Sequence, residues 1–423
     1  MSIRHHCKGR FNIAVITAAC SIMGMEQAAA AFAEDSTTSL NLRNFYIERE
    51  FDGPQPSLGS WSQAISGRFE SGYTNTAVQV GLDLSAQYAV RLNDHNAQRS
   101  DSVFLYDDAV GEQERDQLKL GATLKLKYSN TELKIGELLP MTPVAFIDNS
   151  RQLVTTYAGV MLESKELKDL KISAGRLTHL NARNDDSFEK MGLFTGKTHA
   201  QFESDGLNFV GLDYNFSPAV SGAYWFGQLE DVYQQHYGNL AYSTKVGETK
   251  VKVDARYFNY SEDGEAFYGD IDAQSYGLMT TIEEGNHLLM AGVRKNDGSS
   301  MIPTLTGYAP QPYLHAWSTL GFVKPNELTW HVWYSYDFKG WGLNGLKATA
   351  RYLNGSEIER AGLKDNAETE KSLALKYVVP EGKLKGLGLE LMHIRTDVKY
   401  GAGYDKGTAF DENRAILSYA YKF

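Results

Sequence analysis

The residues with the most capacity for chemistry are basic ones set at alternate positions of short stretches. Lys125 and Lys127 stand two apart, as do Lys252, Asp254 and Arg256, and Arg91 ends a similar stretch. A planar guanidinium meets a carboxylate with two parallel hydrogen bonds and stays charged. A line of such groups between low-dielectric walls focuses a field that draws in anions and passes them between neighbouring partial sites. Catalysis has no comparable support. The sequence holds no H-E-x-x-H, G-x-S-x-G, G-x-x-x-x-G-K or C-x-x-C, its ten histidines are scattered, and neither a cofactor nor a metal centre is implied.

The elements that position these residues follow from period-two alternation. Val80, Leu82, Leu84, Ala86, Tyr88 and Val90 interleave with Gly81, Asp83, Ser85, Gln87, Ala89 and Arg91, and Leu118 to Tyr128 repeats the pattern with Lys119, Lys125 and Lys127 on the polar face. Helical spacing does not produce this. Eighteen alternating segments can be counted, among them 345–354 and 371–379. Their connections alternate between short, such as Ser129-Asn130 and Gly247-Glu248, and long, such as 93–116, 179–205, 297–327 and 396–412. Tight turns on one rim and long loops on the other are the pattern of a transmembrane barrel. The last residues agree, since Ala415, Leu417, Tyr419, Tyr421 and Phe423 form an apolar stripe where chain ends are usually polar. Tyr46, Trp61, Tyr88, Tyr128, Tyr257, Tyr352 and Tyr377 lie on the apolar stripes near strand ends and suit interfacial girdles. Hydrophobic content is only 42% and mean hydropathy −0.38, which excludes a helical membrane protein.

With the apolar stripes facing lipid, the polar face lines a lumen. Parity then points Arg43, Arg68, Arg91, Lys119, Lys125, Lys127, Lys252, Arg256, Arg294, Lys347, Arg351 and Lys376 inward, against the acids Glu70, Asp83, Asp254 and Glu390. Arg43, Arg91, Lys125, Lys127, Arg256, Arg294, Arg351 and Lys376 form the expected basic track. The alternative is that these charges pair across the wall and keep it hydrated. Before the barrel, residues 1–33 read as a signal peptide, with Arg4, Lys8 and Arg10 ahead of the apolar stretch Phe11–Cys20 and small residues near Ala33. Residues 34–423 form the barrel. Removing the leader's three basic residues and one acid shifts the formal net charge from −10 to −12 and removes both cysteines, Cys7 and Cys20. Such a chain is a poor partner for nucleic acid.

Several motifs resemble the OprD family of outer-membrane channels, also called outer-membrane carboxylate channels. They are LNLRNFY (Leu40 to Tyr46), FESGYTN (Phe69 to Asn75), LKIGELLPMTPV (Leu133 to Val144), NSRQL (Asn149 to Leu153), LEDVYQQHY (Leu229 to Tyr237), TARYLNG (Thr349 to Gly355) and LKYVVPEG (Leu375 to Gly382). The resemblance implies an all-β antiparallel barrel of eighteen strands in the bacterial outer membrane. It also implies long external loops, a third loop folded inward, and a basic track guiding small carboxylates such as organic acids or amino acids. Asp148, Ser150 and Arg151 resemble the inward loop's tip, with Tyr157 opening the next strand; an ordinary surface loop is the alternative. Asp148 and Arg151 would take the two ends of an amphoteric ligand. Glu230 and Asp231 form an acidic loop site for a substrate cation, or for a divalent metal bridging lipopolysaccharide. Other expected partners are outer-membrane lipid and the barrel-assembly machinery, the latter through Phe423, with the protein a monomer or loose trimer. Two departures matter. Val154 stands where family members have proline, and Glu390-Leu391-Met392 replaces an Arg-x-Arg pair on the next-to-last strand. A general anion-preferring porin is the alternative transport reading, and a barrel enzyme or an adhesin the alternatives outside transport.

Overall fold

The computed structural model describes residues 32–423 apart from 95, 97–99, 108, 195–201, 307–310, 316, 402 and 405–408. The leader expected over 1–33 therefore lies almost wholly outside the described residues. Among the described residues no helix is long and apolar enough to cross a membrane. Eighteen antiparallel strands make one closed barrel. In chain order they are β1 (Thr37–Phe51), β2 (Leu58–Glu70), β3 (Gln79–Arg91), β4 (Asp116–Tyr128), β5 (Thr131–Leu138), β6 (Thr156–Ser164), β7 (Leu170–Asn181), β8 (Leu207–Asn215) and β9 (Val220–Leu229). The second half comprises β10 (Tyr233–Val246), β11 (Thr249–Glu262), β12 (Asp272–Glu284), β13 (His287–Asp297), β14 (Leu328–Asp337), β15 (Leu346–Arg360), β16 (Leu363–Val378), β17 (Gly388–Tyr400) and β18 (Phe410–Lys422).

Each strand pairs with its neighbour in sequence, and β1 pairs with β18 from Ser39↔Lys422 to Phe51↔Phe410. The seam is sealed at its end, where Thr38 N and Phe423 O (2.9 Å) and Phe423 N and Thr38 O (3.0 Å) bond reciprocally. Closure leaves no strand edge in hydrocarbon, where each unpaired backbone group costs several kcal/mol. Alternation sets the faces. On β3, Leu82, Leu84 and Tyr88 point out while Asp83, Gln87 and Arg91 are buried inside.

Two features differ from the sequence reading. Residues 355–370, expected as a loop, continue β15 and β16 as an extended hairpin turning at Ala361-Gly362. A register shift between Gly355 and Ile358, with Glu357 at φ 58°, breaks the alternation there, and Gly362 supplies the φ of 77° the turn needs. The inner face is also not uniformly polar. Trp225, Tyr233, Tyr237, Phe258 and Tyr260 point inward and are buried. They pack with Val144, Leu193, Ile302 and Leu305 of the connections 139–155, 182–206 and 298–327. The described residues of those connections fold into the barrel and turn one side of its interior into a core. On the other side Val103 and Phe104, from the connection between β3 and β4, join Phe45, Ile47 and Leu153 in a second core.

Candidate substrate eyelet

The third far-rim connection, residues 139–155, narrows the lumen, and its seat can be built one bond at a time. Tyr157 at the start of β6 is buried and donates to Phe146 O at 2.9 Å, while Thr142 Oγ1 donates to Ala145 O (2.9 Å). Asp148 turns the chain by accepting the Ser150 amide (2.8 Å) on one oxygen, and its other oxygen pairs with Arg183 of the fourth connection. Arg183 also donates to Ser150 Oγ at 2.7 Å, so two loops are locked through a buried ion pair. The wall holds the far side, where Arg43 donates to Asn149 O (3.2 Å), Gln152 donates to Arg43 O (3.0 Å) and the Val154 amide reaches Gln87 (3.1 Å). Lys119 on β4 draws three carbonyls onto one ammonium, those of Val154 (3.3 Å), Asn181 (3.5 Å) and Ala182. A Tyr157→Phe channel is expected to keep its fold but loosen the loop by about 1 kcal/mol, the net value of one buried hydrogen bond. Excess open-channel noise in single-channel records checks this.

Around that seat stand Arg43, Arg49, Arg151, Arg183, Arg351 and Arg414. Glu412 on β18, fully buried, takes Arg49 at 2.5 Å and Arg414 at 2.5 Å. Arg414 also approaches Ser150 O at 3.5 Å. Burial, and then the neighbouring Arg183 and Arg414 charges, push the Arg151 guanidinium well below its usual pKa. Trp317, from the connection 298–327, faces the cluster, with Arg351 5.0 Å and Arg414 5.4 Å from its ring. Arg351 is held from behind by Trp333 at 4.0 Å, and Glu370 fixes the Trp317 loop by accepting the amides of Thr319 (2.8 Å) and Leu320 (2.7 Å). A cavity of about 220 Å³ opens between Phe146, Asp148, Arg151, Arg183, Trp317 and Arg414.

The expected basic track is divided by this arrangement. Arg43 and Arg351 reach the eyelet. Arg91 instead pairs with Asp101 at 2.5 Å and donates to Gly59 O (2.9 Å), which pins the segment 92–115. Arg256 pairs with Asp254 (2.5 Å) and donates to Tyr313 O (2.8 Å), and Arg294 donates to Phe322 O. These two hold the connection 298–327. Lys125 sits toward the rim that carries both termini, paired with Asp83 at 2.6 Å, and both Lys125 (5.0 Å) and Lys127 (5.5 Å) lie over the Tyr73 ring. Lys376, half-exposed, faces Glu390 at 3.5 Å. Glu230 takes Arg176 (2.5 Å) and Asn208 (2.8 Å), and Asp231, at φ 60°, accepts the Glu265 amide at 3.0 Å, so both acids are committed to the turn between β9 and β10. Among the described residues no cluster of three or more His, Cys, Asp or Glu is arranged to hold a metal. Sequence reasoning passed over Arg49, Arg183, Arg414, Glu412, Glu370 and Trp317. Arg49 continues the inward parity of Arg43, and Arg414 and Glu412 face inward opposite the Leu417 stripe. Arg183 and Trp317 lie on loops, where no parity exists.

The family description "outer membrane porin, OprD family" matches residues 30–423. The chain belongs to the OprD family. Porin-like protein GalP of Pseudomonas putida is 29% identical over 419 residues, 98% of either chain. Among solved structures, Acinetobacter baumannii OccAB4 is 36% identical with a TM-score of 0.85, over 92% of this chain and 98% of that one. Pseudomonas aeruginosa OpdK with vanillate is 31% identical with a TM-score of 0.85, over 93% of this chain and all of that one. This OprD-family porin is therefore an integral outer-membrane protein and a substrate-selective channel, and its fold and family are those of channels rather than enzymes. The stretch of β17 that departs from the Arg-x-Arg pattern, Glu390 to Met392, has an arginine beside it on the next strand. Met392 pairs with Arg414 across the β17–β18 ladder, so the guanidinium stands one strand over.

Proposed function

We propose that the channel passes small carboxylates, and that flat single-ring acids are its favoured cargo. The observation that carries this is Trp317, set against Arg351 and Arg414 at 5.0 and 5.4 Å beside the 220 Å³ cavity. The arginines offer paired donors to a carboxylate, and the indole offers a face to a ring. The cavity's volume equals that of roughly seven waters at about 30 Å³ each, room for one ring and little more. Similarity to OpdK, whose structure contains vanillate, supports the same class. Passage is passive. The acid exchanges Arg43 for Arg414 and Arg151 through successive partial sites, each weak enough to release it.

The test is single-channel recording in a planar bilayer under a salt gradient, with benzoate and a straight-chain acid of similar size titrated from one side. Anion-biased current with saturable block is expected, stronger for the ring. In Trp317→Ala the ring's advantage should shrink by about 1 kcal/mol, a factor of roughly five. Equal block by both acids in the unaltered channel would reject the aromatic preference, and a large unblocked current would mark a general anion-preferring porin.

A further inference from the structure

The loop that carries Trp317 is tethered to two separate stretches of the barrel wall. On β11 and β13, Arg256 holds Tyr313 O (2.8 Å), Arg294 and Asn296 hold Phe322 O, and Asn296 also holds Lys324 O (3.1 Å). Gln311 and Tyr313 tie the same part of the loop to the eyelet loop, donating to Pro143 O and Met141 O at 2.8 Å each. None of these bonds draws the loop toward Arg351 on β15 or Arg414 on β18, the two cations beside the indole. That pull comes from β16. Glu368 and Glu370 stand two residues apart on its inner face, 1% and 0% exposed. Glu370 takes the amides of Thr319 and Leu320, and Glu368 takes the ammonium of Lys324. Glu327 presents Lys324 to its partner, since the Glu327 carboxylate accepts the Lys324 amide at 3.1 Å.

The wall is shaped for this contact. Gly355 on β15 lies opposite Glu368 in the β15–β16 ladder. A Cβ built there would run into the Glu327 carboxylate and come within 3.1 Å of the Phe322 ring. The glycine therefore lets the loop lie against the strand, and the register shift begins just after it. The start of the extended hairpin is thus a buttress for residues 317–324. Within the ion pair the carboxylate side chain is 1% exposed and the ammonium 22%. A pair so sheltered is weakly screened, and removing one partner leaves the other's charge desolvated.

We infer that Glu368 and Lys324 are positioning residues for the eyelet: their ion pair sets how far Trp317 reaches toward Arg351 and Arg414, and so how strongly the channel prefers a ring. Neither residue lines the 220 Å³ cavity, and Lys324 is neutralised where it stands, so the pair adds nothing to the attraction of anions. This inference rests on the reading of Trp317 as the surface that meets the cargo's ring.

Block by benzoate and by a straight-chain acid of similar size, recorded with the reversal potential in a salt gradient, tests it in the full channel. In Glu368→Gln and in Lys324→Met the ring's advantage of about fivefold should fall toward parity while the reversal potential holds, because the eyelet arginines are untouched. Lys324→Arg preserves the pair and should preserve the advantage. Gly355→Ala removes no polar group, yet its methyl displaces Glu327 and Phe322 and should reproduce the loss. An advantage retained in both Glu368→Gln and Gly355→Ala overturns the inference. So does a reversal potential that collapses together with the advantage, or an Lys324→Arg channel as impaired as Lys324→Met. Equal block by the two acids in the unaltered channel would remove the aromatic reading itself. The seating is then decided by amide exchange: faster exchange across 317–324 in Glu368→Gln, with the strands unchanged, upholds it, and identical exchange overturns it.

Discussion

Changing Asp148 to Asn is expected to open the eyelet more than any other single substitution. The Asp148 carboxylate meets Arg183 with both side chains 5% exposed, and it is the link between the third and fourth inner loops. Removing one member of a buried pair costs roughly 3–5 kcal/mol, because the partner's charge stays desolvated. Here the barrel wall does not depend on the pair, so the loss falls on the loops. Single-channel conductance should rise, brief closures should appear, and block by small acids should weaken at least tenfold. Arg183→Met added to Asp148→Asn removes the other half of the ion pair and should recover part of the original conductance, as replacing both partners costs less than removing one. Unaltered conductance in the single variant would show that Lys119 and Gln87 suffice to seat the loop.

The second large effect is electrostatic. Six arginines, at 43, 49, 151, 183, 351 and 414, surround the eyelet against the carboxylates Asp148, Glu370, Glu390 and Glu412. Replacing Arg351 and Arg414 together with Gln removes that surplus and both cations beside Trp317. Each charge-assisted bond to a carboxylate is worth about 1.5–3 kcal/mol, so block by organic acids should fall by a factor of ten or more per arginine. The reversal potential in a salt gradient should move toward zero. The same double change at Arg91 and Arg256 should leave selectivity nearly intact while destabilising the inner loops. If selectivity instead followed Arg91 and Arg256, the eyelet would not be the filter.

Much of the barrel was legible because lipid enforces a strict rule. All eighteen expected strands correspond to observed ones, since one face of each must be apolar for its whole crossing. The rule lapses beyond the bilayer. That is why the hairpin of β15 and β16 was misread: past Gly355 its residues face water or the lumen on both sides, and a bulge shifts the parity. Parity also says which way a side chain points but not what comes down to meet it. Lys119, Arg91, Arg256 and Arg294 do point inward, yet each is engaged by a loop whose fold has no period to read. Trp317 and Arg183 were invisible for the same reason. Glu412 and Arg414 were not, and the stripe that ends on Phe423 already placed them inside.

The seam between β1 and β18 has a consequence for how the molecule comes into being. Its partners are separated by nearly the whole sequence, Ser39 lying opposite Lys422. Loop-closure entropy makes such a pairing the last contact that a growing sheet can form. Until then β1 and β18 both present unpaired backbone, and the nascent sheet has two sticky edges. The interior loops rest on walls from many strands, from Gln87 on β3 to Arg414 on β18. The eyelet therefore matures only after the ring is shut, and an unclosed intermediate is aggregation-prone and unselective at once.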